Sequence, residues 1–152
     1  MENIRIEKLR AVTPQVHERV QCLLADLYPS RPLLSREAHT AVLEQENVFV
    51  YIALCGDEIV GTATLASYRK LGGYVWVIED VVVDAKFRAH GIGTRLTHVL
   101  LDEARNRGAE FVDVYSRHEK APLFYHRCGF ADRNVNRPLY ALRYTFPYGG
   151  VS

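Results

Sequence analysis

The sequence predicts an α/β (α+β) fold, with a mixed central β-sheet of six to seven strands and about four flanking helices. Its apolar pattern gives the element order β-α-α-β-β-β-α-β-α-β-β, and strands around two helical crossovers imply a mixed sheet. The segment from Trp76 to Gly93 joins a β-branched run, typical of a buried central strand, to a glycine-rich turn that opens a helix. The length of 152 residues leads us to expect one domain over residues 1–152.

The first part of the chain alternates short strands and helices. Residues Asn3 to Leu9 alternate apolar and polar side chains and form a predicted strand. Thr13 and Pro14 form a favourable helix start, since threonine caps and proline suits the first turn. One apolar stripe follows at helical spacing, at Val16, Val20, Leu23, Leu24 and Leu27. Ser35 is the predicted cap of a second helix, which extends to about Glu46.

Strands dominate the middle and the end of the chain. Val48–Leu54 and Ile59–Tyr68 are predicted strands joined by a tight hairpin. A turn at Gly72 and Gly73 leads into the central strand, which ends near Val83. A helix from Gly91 to the glycine stop at Gly108 follows. The remaining predicted elements are a strand over Glu110–Ser116, a short helix near Tyr125 and a last strand over Leu139–Phe146.

The bulk composition is that of a globular protein and limits the possible partners. Hydrophobic residues make up 48% of the chain, charged residues make up 24%, and the net charge is +1. The absence of a strong basic field argues against nucleic acid as a partner. With no long apolar run and no apolar leader, we expect neither a membrane span nor a signal peptide. Three widely spaced cysteines suit a reducing cytoplasm, and no metal-ligand spacing occurs.

The loop before the third helix carries the most specific motif. Glycines just ahead of a helix allow close backbone approach to a ligand, and the helix N-terminus favours an anion such as a phosphate. The second half of the chain resembles the GNAT superfamily of acetyl-CoA-dependent N-acetyltransferases. The family pattern is V-x-V-D-x-x-x-R-x-x-G-I-G-x-x-L followed by A-x-x-F-Y-x-x-x-G-F. The matching residues are Val81 to Asp84, Arg88, Gly91, Ile92, Gly93, Leu96, Ala121, Phe124, Tyr125, Gly129 and Phe130.

The resemblance implies how acetyl-CoA, the expected cosubstrate, is held. The CoA pyrophosphate binds mainly to backbone N–H groups of one loop, and a splayed central pair of parallel strands admits the pantetheine arm. Ser116 and His118 are additional candidates near that arm; His118 replaces a common family asparagine, and Ala89 with His90 replaces Gly-Lys. The cofactor-binding residues implied are Val81, Val82, Val83, Arg88, Ala89, His90, Gly91, Ile92, Gly93 and Thr94, with Ser116 and His118.

Two catalytic residues are implied by the same resemblance. Tyr125 occupies the position of the family tyrosine that protonates the departing CoA thiolate; the alternative is that it only packs against Phe124 and Phe130. Glu79 is the candidate base for the amine, with Asp80 as its competitor, and an ion pair inside the sheet is the alternative for both. Strand alternation predicts opposite faces for these two acids and places Glu79 with Val81 and Val83.

The acceptor is expected to be a small-molecule amine that binds near Glu79 and Asp80. The run from Ile78 to Val83 also resembles the glucosamine-phosphate N-acetyltransferase branch. Arg31 is a candidate for attracting an anionic group of the acceptor, although a solvated surface arginine is the simpler interpretation. The alternating last strand suggests a homodimer. A functional alternative is a catalytically idle module that binds or senses acetyl-CoA.

Overall fold

The computed structural model describes residues 3–133 and 136–147. The chain divides into two compact units, Met1–His118 and Glu119–Ser152. The first unit holds the β-sheet and three helices: α1 (Pro14–Leu24), α2 (Arg36–Leu43) and α3 (Ile92–Asn106). The second unit holds helix α4 (Ala121–Arg127). A short 3-10 turn, Ala85–Phe87, precedes α3.

The sheet of the first unit is mixed, as the sequence predicts. Its strands are β1 (Ile4–Lys8), β2 (Val48–Cys55), β3 (Glu58–Lys70), β4 (Gly73–Val83) and β5 (Asp113–Val114). They lie in the order β1-β2-β3-β4-β5. The first three pairings are antiparallel, and β4 pairs with β5 in parallel. The parallel pair at the end of the sheet is the feature that positions the candidate site.

Two predicted caps start the first two helices. The Thr13 side chain accepts a hydrogen bond from the Val16 N–H at 3.2 Å. The Ser35 side chain accepts one from the Ala38 N–H at 3.1 Å. Each cap satisfies a backbone donor that has no partner within the helix. The second helix ends at Leu43, three residues before the predicted end.

Apolar side chains cover both faces of the sheet. On one face, Leu23 of α1 packs in a cluster with Ile52, Leu54, Ile59 and Val82. On the other face, a Cβ on Gly61 would lie 3.2 Å from Leu96 of α3, so the close approach of this helix favours glycine there. Because Val82 and Val83 follow each other on β4, they face α1 and α3 respectively.

The described residues contain five strands, not the six to seven predicted. The predicted strand over Glu110–Ser116 is reduced to two residues, Asp113 and Val114. Residues 139–146 are described but form no strand, and their large apolar side chains are 55% to 91% exposed. Alternation of apolar residues shows only that a segment suits a sheet, whereas a strand also needs a neighbouring backbone for its hydrogen bonds.

Candidate functional site

Strand β4 loses its parallel neighbour halfway along its length. The pairing with β5 covers Val77 with Asp113 and Ile78 with Val114. Within the described part of the first unit, no strand pairs with this edge of β4 from Glu79 to Val83. An unpaired strand edge offers backbone N–H and C=O groups to an extended ligand.

A one-residue bulge at Asp80 changes which β4 side chains share a face. Thr64 of β3 pairs with Glu79 and Thr62 pairs with Val82. Two steps along β3 therefore match three steps along β4. Asp80 has a φ of 53°, in the left-handed region. An extra residue of this kind is what defines a β-bulge.

The bulge overturns the argument from strand alternation. Thr62 and Thr64 lie two apart on β3 and share a face, so Glu79 lies on the face of Val82. The prediction that Glu79 shares a face with Val83 is therefore wrong, because Val83 pairs with Gly61 on the opposite face. Regular alternation fails here since one inserted residue resets the side-chain period of two.

The two acidic residues of β4 differ in their partners. Asp80 accepts a hydrogen bond from the Tyr28 hydroxyl. That bond, followed by burial, raises the pKa of Tyr28 to about 12. The Glu79 side chain makes no hydrogen bond or ion pair with the described residues of its unit. Glu79 is exposed, but partial desolvation of its carboxyl, followed by the charge of the Asp80 carboxylate, raises the pKa of that carboxyl. The two carboxylates thus differ, since Asp80 is bonded to Tyr28 and Glu79 has no such partner.

The backbone before α3 forms a concave turn with uncapped N–H groups. Ala89 has a φ of 66° and Gly91 a φ of 76°, both in the left-handed region. The first helical hydrogen bond runs from Arg95 N–H to Gly91 O at 3.0 Å, and no side chain caps the helix. The N–H groups of Ile92, Gly93 and Thr94 precede that bond, and the first turn holds no acidic residue. This arrangement fits an anion such as a pyrophosphate.

The side chains of this loop are less available than its backbone. The Arg88 guanidinium donates to the Val83 carbonyl at 3.0 Å and pairs with Asp26 at 3.0 Å. The Ile92 side chain is 2% exposed and belongs to the core. His90 is exposed. An anion at this loop would therefore meet backbone N–H groups first, as the resemblance implies.

Tyr125 lies on α4 in an aromatic cluster of the second unit. Its ring contacts those of Phe124 and Phe130, with centroids 4.9 and 5.3 Å apart in edge-to-face geometry. Burial, followed by the nearby Cys128, raises the pKa of its hydroxyl to about 12. The packing alternative is thus observed. It does not exclude the acid role, because within the described residues of this unit no group accepts or donates a hydrogen bond at the hydroxyl.

The remaining predicted site residues lie on exposed loops of the first unit. The Ser116 hydroxyl accepts a hydrogen bond from the His118 N–H at 3.1 Å, which closes a local turn after β5. Arg31 is exposed, and its guanidinium carbon lies 4.6 Å from the centre of the Tyr28 ring.

Two residues that connect the site to α1 were missed by sequence reasoning. Arg19 donates to the Ile59 carbonyl at 2.7 Å and forms an ion pair with Asp84, which caps the 3-10 turn. The Asp84 pKa is lowered chiefly by the hydrogen bond from Arg19. Tyr28 lies in the segment between α1 and α2, and its hydrogen bond to Asp80 was not predicted. The sequence offered no signal for either, since both contacts join residues more than fifty positions apart.

Neither a membrane helix nor a metal cluster is found in the described residues. No helix there is long and apolar enough to span a bilayer. No group of three or more His, Cys, Asp or Glu side chains there is arranged to hold a metal ion.

Comparison with known proteins agrees with this geometry. The model of the acetyltransferase (GNAT) family matches residues 15–130. Glucosamine 6-phosphate N-acetyltransferase 1 of Oryza sativa subsp. japonica is 35% identical over 133 residues, covering 78% of this chain and 76% of that protein. N-alpha-acetyltransferase 30 of Schizosaccharomyces pombe is 28% identical over 127 residues, covering 78% and 82%.

Solved structures show the same fold. An aminoglycoside N-acetyltransferase in complex with CoA superimposes with a TM-score of 0.73 at 18% identity, covering 94% of this chain and 96% of that one. The family uses acetyl-CoA as its acetyl donor. The uncapped α3 N-terminus, the open edge of β4 and the family match over residues 15–130 lead to one conclusion. The chain belongs to the GNAT family of acetyltransferases and is an acyltransferase enzyme.

Proposed function

We propose that this enzyme transfers the acetyl group of acetyl-CoA to the primary amine of a small molecule by direct attack. One observation carries the proposal. An unpartnered carboxylate with a raised pKa, Glu79, lies where the parallel pairing of β4 ends, on the strand that leads to the uncapped helix start. An amine deprotonation site therefore adjoins the backbone edge suited to the donor.

The donor is held by backbone groups of the first unit. The N–H groups of Ile92, Gly93 and Thr94 bind the pyrophosphate, with the turn through Arg88, Ala89, His90 and Gly91 around it. The pantetheine arm pairs with the backbone of β4 over Val81 and Val82, and Val83 contributes once Arg88 releases its carbonyl. The parallel pairing of β4 with β5 has ended before that point, and in the proposal Ser116 and His118 lie beside the arm.

Glu79 removes the amine proton. An ammonium group cannot attack a thioester, so the nucleophile must lose a proton before the new C–N bond forms. The raised pKa of Glu79 makes it a better proton acceptor than an ordinary surface carboxylate. The transfer runs directly or through one water molecule, and Asp80 contacts the acceptor beside it.

Tyr125 stabilises and protonates the leaving group. As the C–N bond forms, the C–S bond breaks and its electrons remain on sulfur as a thiolate, while the nitrogen releases its second proton to solvent. With a pKa of about 12, Tyr125 keeps its proton at neutral pH. Its hydroxyl donates a hydrogen bond to the sulfur and then the proton. A thiol has a pKa of about 8.5, which is lower than that of Tyr125, so the thiolate is first stabilised by the hydrogen bond. Once the proton has been transferred to sulfur, solvent reprotonates Tyr125.

Calorimetry with acetyl-CoA tests the donor site. The wild type is expected to bind, Tyr125→Phe to bind equally, and Gly91→Glu not to bind. In Gly91→Glu a carboxylate faces the anion, and a side chain is forced into the left-handed backbone at φ 76°. If the wild type fails to bind, the loop is only a helix start and the proposal falls.

An amine screen separates the enzyme from a catalytically idle module that binds or senses acetyl-CoA. CoA release is followed with glucosamine 6-phosphate, glucosamine and a peptide with a free α-amine. We expect turnover of a small amine, with losses of about 10²- to 10⁴-fold in Glu79→Gln. Tyr125→Phe should lower kcat while acetyl-CoA binding stays unchanged. Acetyl-CoA binding without transfer to any amine would favour the sensing module, and turnover of the peptide alone would refute a small acceptor.

The assembly and location of the enzyme are further parts of the proposal. We propose a homodimer that pairs through residues 139–146, where Tyr140 and Leu142 are 77% and 91% exposed. We also propose that residues 1–152 act as a single GNAT domain, since the family match crosses the boundary of the two units. A cytoplasmic location is supported by the odd number of cysteines. Light scattering of the full chain tests the dimer.

A further inference from the structure

The loop after α1 brings a phenol and a guanidinium to the acidic end of β4. The Tyr28 hydroxyl donates a hydrogen bond to Asp80. The Arg31 guanidinium carbon lies 4.6 Å from the centre of the Tyr28 ring. The Arg31 N–H also donates to the Tyr28 carbonyl at 3.3 Å, which closes a turn between the two residues. Tyr28 thus contacts a carboxylate with one end and a cation with its face.

The charge of Arg31 is held in place but not neutralised. Within the described part of the first unit, no carboxylate lies in ion-pair distance of its guanidinium, and the side chain is exposed. Stacking on an aromatic face restricts a flexible arginine while leaving its N–H donors accessible. Such a guanidinium can bind a phosphate, phosphonate or carboxylate group with two parallel hydrogen bonds.

Resting on the proposed function, we propose that Tyr28 is a positioning residue that links the two ends of the acceptor site. Its hydroxyl fixes Asp80 next to Glu79, and its ring aims Arg31 at an anionic group of the acceptor. The acceptor class is therefore a small primary amine that carries an anionic group, rather than a neutral or cationic amine.

The surroundings of Asp80 define the expected pH effect. The titratable groups near it are Tyr28, Glu79 and His39, which contacts His17. Arg31 adds a fixed positive charge. The Asp80 carboxylate helps to raise the pKa of Glu79. When Asp80 loses its hydrogen bond from Tyr28, its carboxylate is no longer held next to Glu79 and raises the pKa of Glu79 less. The acidic limb of kcat/KM then moves to lower pH.

Binding to the CoA-loaded protein tests the role of Arg31 without turnover. Calorimetry compares glucosamine 6-phosphate with glucosamine. Arg31→Gln should weaken glucosamine 6-phosphate binding about tenfold and leave glucosamine unchanged. The control is Arg105→Gln, which removes another exposed charge, one paired with Asp102 at the end of α3, and should change neither. Equal effects in the two variants, or a wild type that binds both amines equally or neither, would overturn the inference.

Two substitutions of Tyr28 separate its hydroxyl from its ring. Tyr28→Phe keeps the ring, so it should retain the preference for the phosphorylated amine while shifting the acidic limb to lower pH. Tyr28→Leu should lose the preference for the phosphorylated amine and also shift the acidic limb to lower pH. Adding Arg31→Gln to Tyr28→Leu should then cause little further loss of glucosamine 6-phosphate binding. An unshifted pH profile in Tyr28→Phe contradicts the role of the hydroxyl. If glucosamine 6-phosphate binds through Arg31 but no amine is acetylated, the proposed function fails while the anion site stands.

Discussion

Ala89 holds a backbone conformation that alanine rarely adopts. Its φ of 66° is left-handed, and it lies three residues before the start of α3 in the loop proposed to bind pyrophosphate. In this region the Cβ of an L-residue lies too close to the following carbonyl oxygen, and this contact costs about 1–2 kcal/mol. Glycine has no such penalty, so Ala89→Gly should release this strain.

The net gain is smaller than the strain released. Glycine also makes the unfolded chain more flexible, which offsets about 0.4–1 kcal/mol of the gain. The difference is a stabilisation of about 0.5–1 kcal/mol, or a rise of about 1–4 °C in Tm for a chain of this size. Because the loop is exposed, no lost packing enters this sum.

Urea and thermal unfolding of the full chain measure the change, with Ala41→Gly as the matched control. Ala41 is an exposed alanine inside α2, where glycine should destabilise by about 1 kcal/mol. The two substitutions remove the same methyl group and should have opposite signs. If Ala89→Gly destabilises the protein as much as Ala41→Gly does, the left-handed strain at Ala89 is refuted.

Three further predictions concern pH and stability. Burial, with His17 adding to it, lowers the pKa of His39 below 6.5, so stability is lost as pH falls below 6.5; urea unfolding of His39→Asn should show a flatter profile between pH 7 and pH 5. Burial raises the Glu103 pKa, but Lys8 and its other partners outweigh this and lower it below 4.5. Glu103→Gln should therefore cost about 1–3 kcal/mol at pH 7, a gap in the unfolding free energy that closes in acid. Since the folded-state pKa of Tyr125 is about 12, the wild type should lose stability relative to Tyr125→Phe above pH 10; a constant difference would contradict this.

Local signals made most of the first unit predictable. Thr13 and Ser35 cap helices because their hydroxyls reach the backbone N–H three residues later. Such a contact depends only on residues that are close in sequence. The apolar spacing after Gly91 likewise fixes which face of α3 is buried, with Leu96 and Leu100 fully inside. The glycine-rich loop directly before α3 was likewise visible in adjacent sequence, and its left-handed Gly91 suits a residue without a side chain.

Features that depend on distant partners were not predictable. The strand expected over Glu110–Ser116 forms only at Asp113 and Val114, where β4 provides hydrogen bonds. Arg19 belongs to no motif of the sequence, yet it joins α1 to Asp84 of the family motif. Neither outcome follows from periodicity, since both depend on which backbone or carboxylate the fold brings near.

The bulge at Asp80 shows how the choice of a candidate residue can rest on a wrong geometric reason. The choice of Glu79 assumed regular alternation, but the extra residue places Glu79 on the face of Val82. What distinguishes Glu79 from Asp80 is instead that Tyr28 bonds the latter. Asparagine, like aspartate, tolerates left-handed backbone better than most residues. Asp80→Asn therefore keeps the bulge while removing its charge, and because that charge helps to raise the pKa of Glu79, the acidic limb of kcat/KM should move to lower pH.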